Sequence, residues 1–202
     1  MSAPLIEWGV SSRALPGQAA SGDRHVIEAF PGGALIGAID GLGHGDAAAS
    51  ASRTAGDVLG RHCAESVIAL ARRCHEALLS TRGVVMSLAS FNGGDQTMTW
   101  LGVGNVEGVL LRANARAVPM REQLLLRGGV VGYQLPQLSA WVLPLCRGDT
   151  LIFATDGIRS EFASVVDSGG SAAALADRIL AGYAKGTDDA LVVVARYAGI
   201  ER

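Results

Sequence analysis

The chain has 202 residues, 18% of them charged and 49% hydrophobic, with a formal net charge of −2 and a pI near 6.1. That size and make-up suit one domain with a sizeable core, and the near-balanced charge argues against a nucleic-acid or anionic-membrane partner. The longest apolar runs, such as ALVVVA at 190–195, fall far short of the ~20 residues that span a bilayer.

The start, MSAPLIEW, lacks a basic stretch leading into an apolar core, so no signal peptide is expected. LIEWGVSS (5–12) and RHVIEAF (24–30) read as strands of mixed alternation, joined by the turn-rich ALPGQAASGD (14–23). GALIGAI (33–39) is continuously apolar and reads as a buried strand. From Gly45 to about Ser80 the chain is rich in Ala, Arg and Leu, which predicts one long helix or two with a break near Cys63–Glu65. GVVMSLASFN (83–92), TMTWLGVGN (97–105), VEGVLLRA (106–113) and EQLLLRG (122–128) follow at short intervals, and hairpin-linked antiparallel strands are expected there. LSAWVLPL (138–145) and DTLIFATD (149–156) continue the pattern. Helices are expected over Arg159–Val166 and Ala172–Lys185, and ALVVVARY (190–197) reads as a last strand.

No repeat, low-complexity stretch or linker divides the chain, so residues 1–202 are expected to form a single domain. Two helical blocks and about nine strands imply an α+β fold: a layered sandwich with two antiparallel sheets inside and helices outside. Three cysteines, Cys63, Cys74 and Cys146, with no CxxC pair, argue against a disulfide framework or zinc site and read as small buried hydrophobes of a reducing cytoplasm. Cys63 and Cys74, placed in one helical region, would lie roughly 16 Å apart along it, too far to bridge. His62 and His75 in the helical block read as surface or packing residues, and Trp8, Trp100 and Trp141 as core. Arg61, Arg72 and Arg73 read as a solvated helix face.

The informative stretch is GALIGAIDGLGHGDAAASAS (33–52), where an apolar run delivers Asp40 into a glycine hinge. GLGHGD is not G-x-G-x-x-G, and no G-K-[ST] follows, so neither dinucleotide nor P-loop binding is supported. A carboxylate there would also repel a phosphate unless a cation stood between them. Other strand ends repeat the motif: Asp156-Gly157 after DTLIFAT, Asp188-Asp189 before ALVVV, and Asp23 before RHVIEAF. Asp is a poor strand former, and a following glycine lets the backbone turn a carbonyl toward a site. Oxygen-only clusters suit hard divalent ions such as Mg²⁺ or Mn²⁺. Each aspartate alone reads more readily as a turn or cap residue; the series along the chain is what points to a site.

In that order, S-G-D, D-G-x-G-H-G-x-x-A-A, T-D-G and D-D-A-L-V-V-V resemble the metal-dependent protein phosphatase (protein phosphatase 2C-like) family, nearest its bacterial SpoIIE-type branch, from about Glu7 to Tyr197. LGVGNVEGVLL (101–111) further resembles small stand-alone members of that branch that act on stressosome proteins. The resemblance implies an α-β-β-α sandwich of two antiparallel sheets flanked by helices. It implies two Mn²⁺ or Mg²⁺ ions, with Asp40 bridging them, Gly41 lending a backbone carbonyl to one, and Asp156 and Asp188 on the other. Asp23 would orient metal-bound water, making Asp23 and Asp40 the catalytic pair, and Asp189, where many relatives have Asn, would support the ligands from behind. The implied reaction is attack of a metal-bridging hydroxide on a phosphate monoester, with no G-x-S-x-G nucleophile involved.

The implied function is a cytoplasmic serine/threonine phosphoprotein phosphatase acting on a phosphorylated STAS-domain or stressosome protein. A pseudophosphatase that binds a signalling partner and a different metal-dependent hydrolase are the alternatives. Three departures stand out. No basic residue clearly matches the arginine with which eukaryotic members grip phosphate, the nearest being Arg13, Arg24 and His25. Gly104-Asn105 stands where many relatives have Gly-Asp, which counts against a third ion. The family's proton-donating histidine has no secure match, His44 being the nearest by motif. With no second domain to recruit a partner, docking is expected to fall on the loop Ala14–Gly22 and the glycine-rich segment Arg127–Gln137.

Overall fold

The computed structural model describes residues 4–18 and 20–199. The signal-peptide reading of Met1–Ala3, position 19 of the proposed docking loop and the last three residues of the proposed domain lie outside the described residues.

Alternating apolar faces build two sheets. The first runs in the order β2 (Asp23–Phe30), β3 (Gly33–Gly41), β4 (Val84–Asn92), β5 (Thr97–Val103) and β8 (Trp141–Pro144). The second runs β1 (Ile6–Arg13), β10 (Ala190–Tyr197), β9 (Thr150–Ala154), β6 (Glu107–Leu111) and β7 (Arg121–Gln123). Every strand pairing within them is antiparallel. Ile36, Phe91 and Trp100 of the first sheet meet Leu151, Phe153, Val193 and Tyr197 of the second. Each such side chain contributes roughly 1.5–3 kcal/mol by leaving water.

The outer faces carry the helices. Leu35, Ile39 and Leu88 pack on Leu59 of α1 (Asp46–Arg61) and on Leu70 and Leu78 of α2 (Val67–Leu78). Ile152, Val192 and Val194 pack on Phe162 of α3 (Phe162–Val165) and on Leu175 and Ile179 of α4 (Ala172–Tyr183). β3 is therefore buried on both faces, which is why its sequence is apolar throughout instead of alternating. The result is the expected α-β-β-α order of layers.

The Gly45–Ser80 block resolves into two helices. α1 stops at Arg61, and Ser66 starts α2 by accepting a hydrogen bond from the Ala69 amide. Four expectations change. The Gly104–Val106 connection is not a hairpin: it carries the chain from β5 in the first sheet to β6 in the second, where β6 pairs with β9 and β7. Ser87 Oγ donates to the Val106 carbonyl at 2.6 Å, and Val106 is buried between the sheets, so the short gap spans the sandwich instead of turning within one sheet. Ten strands stand where about nine were expected, while the two expected helical blocks hold two helices each. Trp8 is 53% exposed because β1 is an edge strand. Cys146 is exposed in the turn before β9, and Cys63 lies between α1 and α2, so only Cys74 among the three is the buried hydrophobe expected.

The sandwich thereby brings four chain segments to one end: the start of β2, the end of β3, the exit of β9 and the entry to β10.

Candidate active site

The antiparallel register of β2 and β3 sets Asp23 directly opposite Asp40. Asp156 follows β9 by two residues, and Asp188 and Asp189 precede β10, its sheet neighbour. Asp40, Asp156 and Asp188 line one open cleft of about 380 Å³, together with Leu42, Gly43, His44 and Asn105. Gly157 allows the β9 and β10 segments to close up: a Cβ there would lie 1.8 Å from the Asp189 carbonyl oxygen, so only glycine fits. Gly41 follows Asp40 at the end of β3 and donates its amide to the Gly22 carbonyl at 3.1 Å.

The cleft holds unbalanced negative charge. Burial and the facing Asp40 carboxylate push Asp23 up to about 8, although the Thr155 hydroxyl pulls the other way. Burial, then Asp156, Asp188 and Asp189, push Asp40 up to about 7. A bound cation would relieve both. The donors are all carboxylate or carbonyl oxygens, the chemistry of Mg²⁺ or Mn²⁺ and not of zinc. Among the described residues no three Asp, Glu, His or Cys side chains form a ready-made cage. Mg²⁺ does not demand one, since it keeps several waters and uses one or two carboxylates. On charge and donor type the residues therefore fit divalent ions.

Three supporting contacts were not assigned from sequence. Thr155 Oγ1 donates to Asp23 Oδ2 at 2.7 Å and accepts from the Leu191 amide at 2.9 Å, so β9 and β10 hold the β2 carboxylate in place. Asn105 Nδ2 donates to Asp156 Oδ2 at 2.9 Å; the side chain read as a missing acid orients a carboxylate. Asp189, 5% exposed, accepts from the Leu15 amide at 2.7 Å and the Gly22 amide at 2.6 Å, tying both ends of the β1–β2 loop to the β10 entry. A buried threonine before Asp-Gly was a signal for the first contact. The other two join residues 51 and more than 160 positions apart, which local pattern does not reveal.

Neither Arg24 nor His25 turns to the cleft. Arg24 lies against Gly56 of α1, and both residues line a separate hollow beside Trp8.

Comparison with known proteins bears on the family and the fold. The family model described as Stage II sporulation protein E (SpoIIE) matches residues 31–198. The phosphoserine phosphatase RsbX of Bacillus subtilis (strain 168) is 29% identical over 94 residues, 46% of this chain and 47% of RsbX, so the match spans about half of that relative. A chain solved in work on the bacterial stressosome, as a modular system adapted to control secondary messenger signaling, is 27% identical with a TM-score of 0.86, covering 95% of this chain and 99% of that one. The crystal structure of RsbX in complex with magnesium shares the fold, with 20% identity, a TM-score of 0.82 and coverage of 100% and 99%.

Proposed function

Because the chain belongs to the SpoIIE family, we propose that it is a metal-dependent serine/threonine phosphoprotein phosphatase of stress signalling, formed as a single domain over residues 1–202 and working in the cytoplasm. The observation that carries this reading is the register pair Asp23–Asp40 beside Asp156 and Asp188 at one cleft. Phosphatases of the protein phosphatase 2C type are metal-dependent, and the related RsbX was solved with magnesium. Asp40, Asp156, Asp188, Asp23 and the Gly41 carbonyl would hold two Mg²⁺ or Mn²⁺ ions. When bound, these would neutralise the phosphoryl oxygens and lower the pKa of water.

The chain's own groups do the positioning. Thr155 occupies Oδ2 of Asp23 and leaves Oδ1 to orient the attacking water. Asn105 holds Asp156 by one oxygen and leaves the other for ligation. His44 lines the cleft beside Leu42 and Gly43 and is the one imidazole among its lining residues, which makes it the candidate for protonating the leaving group. The likeness to a phosphoserine phosphatase and to a chain solved in work on the bacterial stressosome supports a phosphorylated STAS-domain or stressosome protein as substrate. Among the described residues no helix is long and apolar enough to cross a membrane. The retained acids give the pseudophosphatase reading no support.

The test is hydrolysis of p-nitrophenyl phosphate. A chelator should abolish it and added Mn²⁺ or Mg²⁺ should restore it. Full turnover in excess chelator would overturn the metal-dependent reading.

A further inference from the structure

The acidic cleft poses a charge problem for its own substrate. Asp40, Asp156 and Asp188 line it, with Asp23 facing Asp40 and Asp189 close behind. A phosphate monoester meets repulsion from these walls wherever a cation does not shield it. No lysine or arginine is among the lining residues, and His44 is the one basic group there.

A guanidinium nevertheless touches one residue of that lining. Arg82, in the turn from α2 to β4, lays Nη1 against Gly43: a Cβ built on Gly43 would lie 2.8 Å from it. Gly43 itself lines the cleft. The backbone beneath Arg82 is fixed on both sides. Thr81 Oγ1 donates to the Leu78 carbonyl at 2.8 Å and accepts from the Gly83 amide at 3.0 Å. The Gly83 carbonyl then accepts from the Leu42 amide at 3.2 Å, so the arginine's turn is joined directly to the Asp40 loop. The head group is not committed elsewhere. Ion pairs among the described residues engage Arg73, Arg112, Arg178 and Arg196, whereas Arg82 is exposed and takes part in none. Arg82 itself lines a second hollow with Ser50, Ser80 and Thr81, and no acid is among that hollow's lining residues.

Resting on the phosphatase reading, we propose that Arg82 is a binding contact for the substrate's phosphoryl group. Its planar fork donates N–H bonds to phosphoryl oxygens that face the Gly43 side of the cleft. A guanidinium suits that task because it stays charged and binds phosphate in a bidentate way. This chain thus supplies its phosphate-binding arginine from the α2–β4 turn, far in sequence from the acids it complements.

The experiment uses the full chain with Mn²⁺, p-nitrophenyl phosphate as substrate and inorganic phosphate as competitive inhibitor. Absence of turnover by the unaltered protein would remove the phosphatase reading, and this inference with it. Given turnover, Arg82→Ala should raise both the KM and the phosphate Ki about tenfold while kcat changes less than about threefold, with Arg82→Lys in between. A purely structural role would lower kcat and Tm together without that split. Unchanged KM and Ki in folded Arg82→Ala overturn the inference and leave the phosphatase reading standing. If the alanine variant does not fold, Arg82→Gln and Arg82→Lys carry the same comparison.

Discussion

A single carboxylate decides most of the chemistry proposed for this protein. Asp40→Asn keeps the side chain's size and removes the charge that would bridge two ions. Turnover is expected to fall at least roughly 10²-fold, the scale of losing one preorganised electrostatic group. The fold should survive, because Asp40 sits at the end of β3 and outside the three apolar clusters. Normal turnover by the folded variant would remove the bridging role. The same residues set a pH dependence. Asp23 and Asp40 hold protons in the folded chain up to about 8 and about 7, against 3.8 for an ordinary Asp. In chelator, the folded state therefore binds more protons than the unfolded state between those limits. The stability these groups contribute is full below the ordinary value and is lost as pH rises through 7 to 8. His25, its pKa lowered by desolvation and then by the neighbouring Arg24, acts in the opposite sense. The measurement is Tm against pH for the chelated protein beside the Asp23→Asn/Asp40→Asn variant. The unaltered protein should lose more Tm from about pH 5 to about pH 8, and Mn²⁺ should reduce the loss. Parallel curves would mean that the carboxylates do not repel as the geometry implies.

At the scale of elements, the β1–β2 loop owes its place to one side chain. Asp189 accepts hydrogen bonds from Leu15 and Gly22, one at each end of the loop, and Gly22 immediately precedes Asp23. Asp189→Ala leaves two amides without partners, at about 1–3 kcal/mol for each that stays buried. A loss of several degrees in Tm is expected for a chain of this size, with a weaker apparent affinity for Mn²⁺ because Asp23 is no longer held. Calorimetry and metal titration would check the pair; loss of Tm with unchanged metal affinity would confine Asp189 to a structural role. The legibility of the site also differs by element. The acids of β2, β3, β9 and β10 were readable because each breaks an apolar strand at its end. Asn105 was readable only as a departure, because its partner Asp156 comes from another strand 51 residues on.

At the scale of the whole molecule, the site is open and the surface beside it varied. The segment Arg127–Gln137 presents Tyr133, 81% exposed, on a turn pinned where the Gly132 amide donates to His75 Nδ1 at 2.9 Å and Val131 bridges Val84. Gly128 and Val130 of that segment line the cleft. A folded phosphoprotein docking there would supply binding energy that a short peptide lacks. An intact phosphorylated STAS-domain protein should therefore exceed a phosphoserine peptide cut from it in kcat/KM by at least roughly tenfold, about 1.4 kcal/mol. Equal values would mean that recognition stops at the phosphorylated residue.

The amino-acid sequence by itself determined the layers and the acids. Period-two and continuous apolar runs specify strands whatever their partners, and an aspartate that breaks such a run marks a strand end. Tertiary structure alone decided the rest. The three residues Gly104–Val106 look the same whether they turn within a sheet or cross between sheets, and only packing of Val106 between the sheets selects the crossing. Likewise Arg82, Thr155 and Asp189 gain their roles from neighbours tens of residues away. Those contacts arise from how the strand ends converge in space, and nothing in the local sequence specifies that convergence.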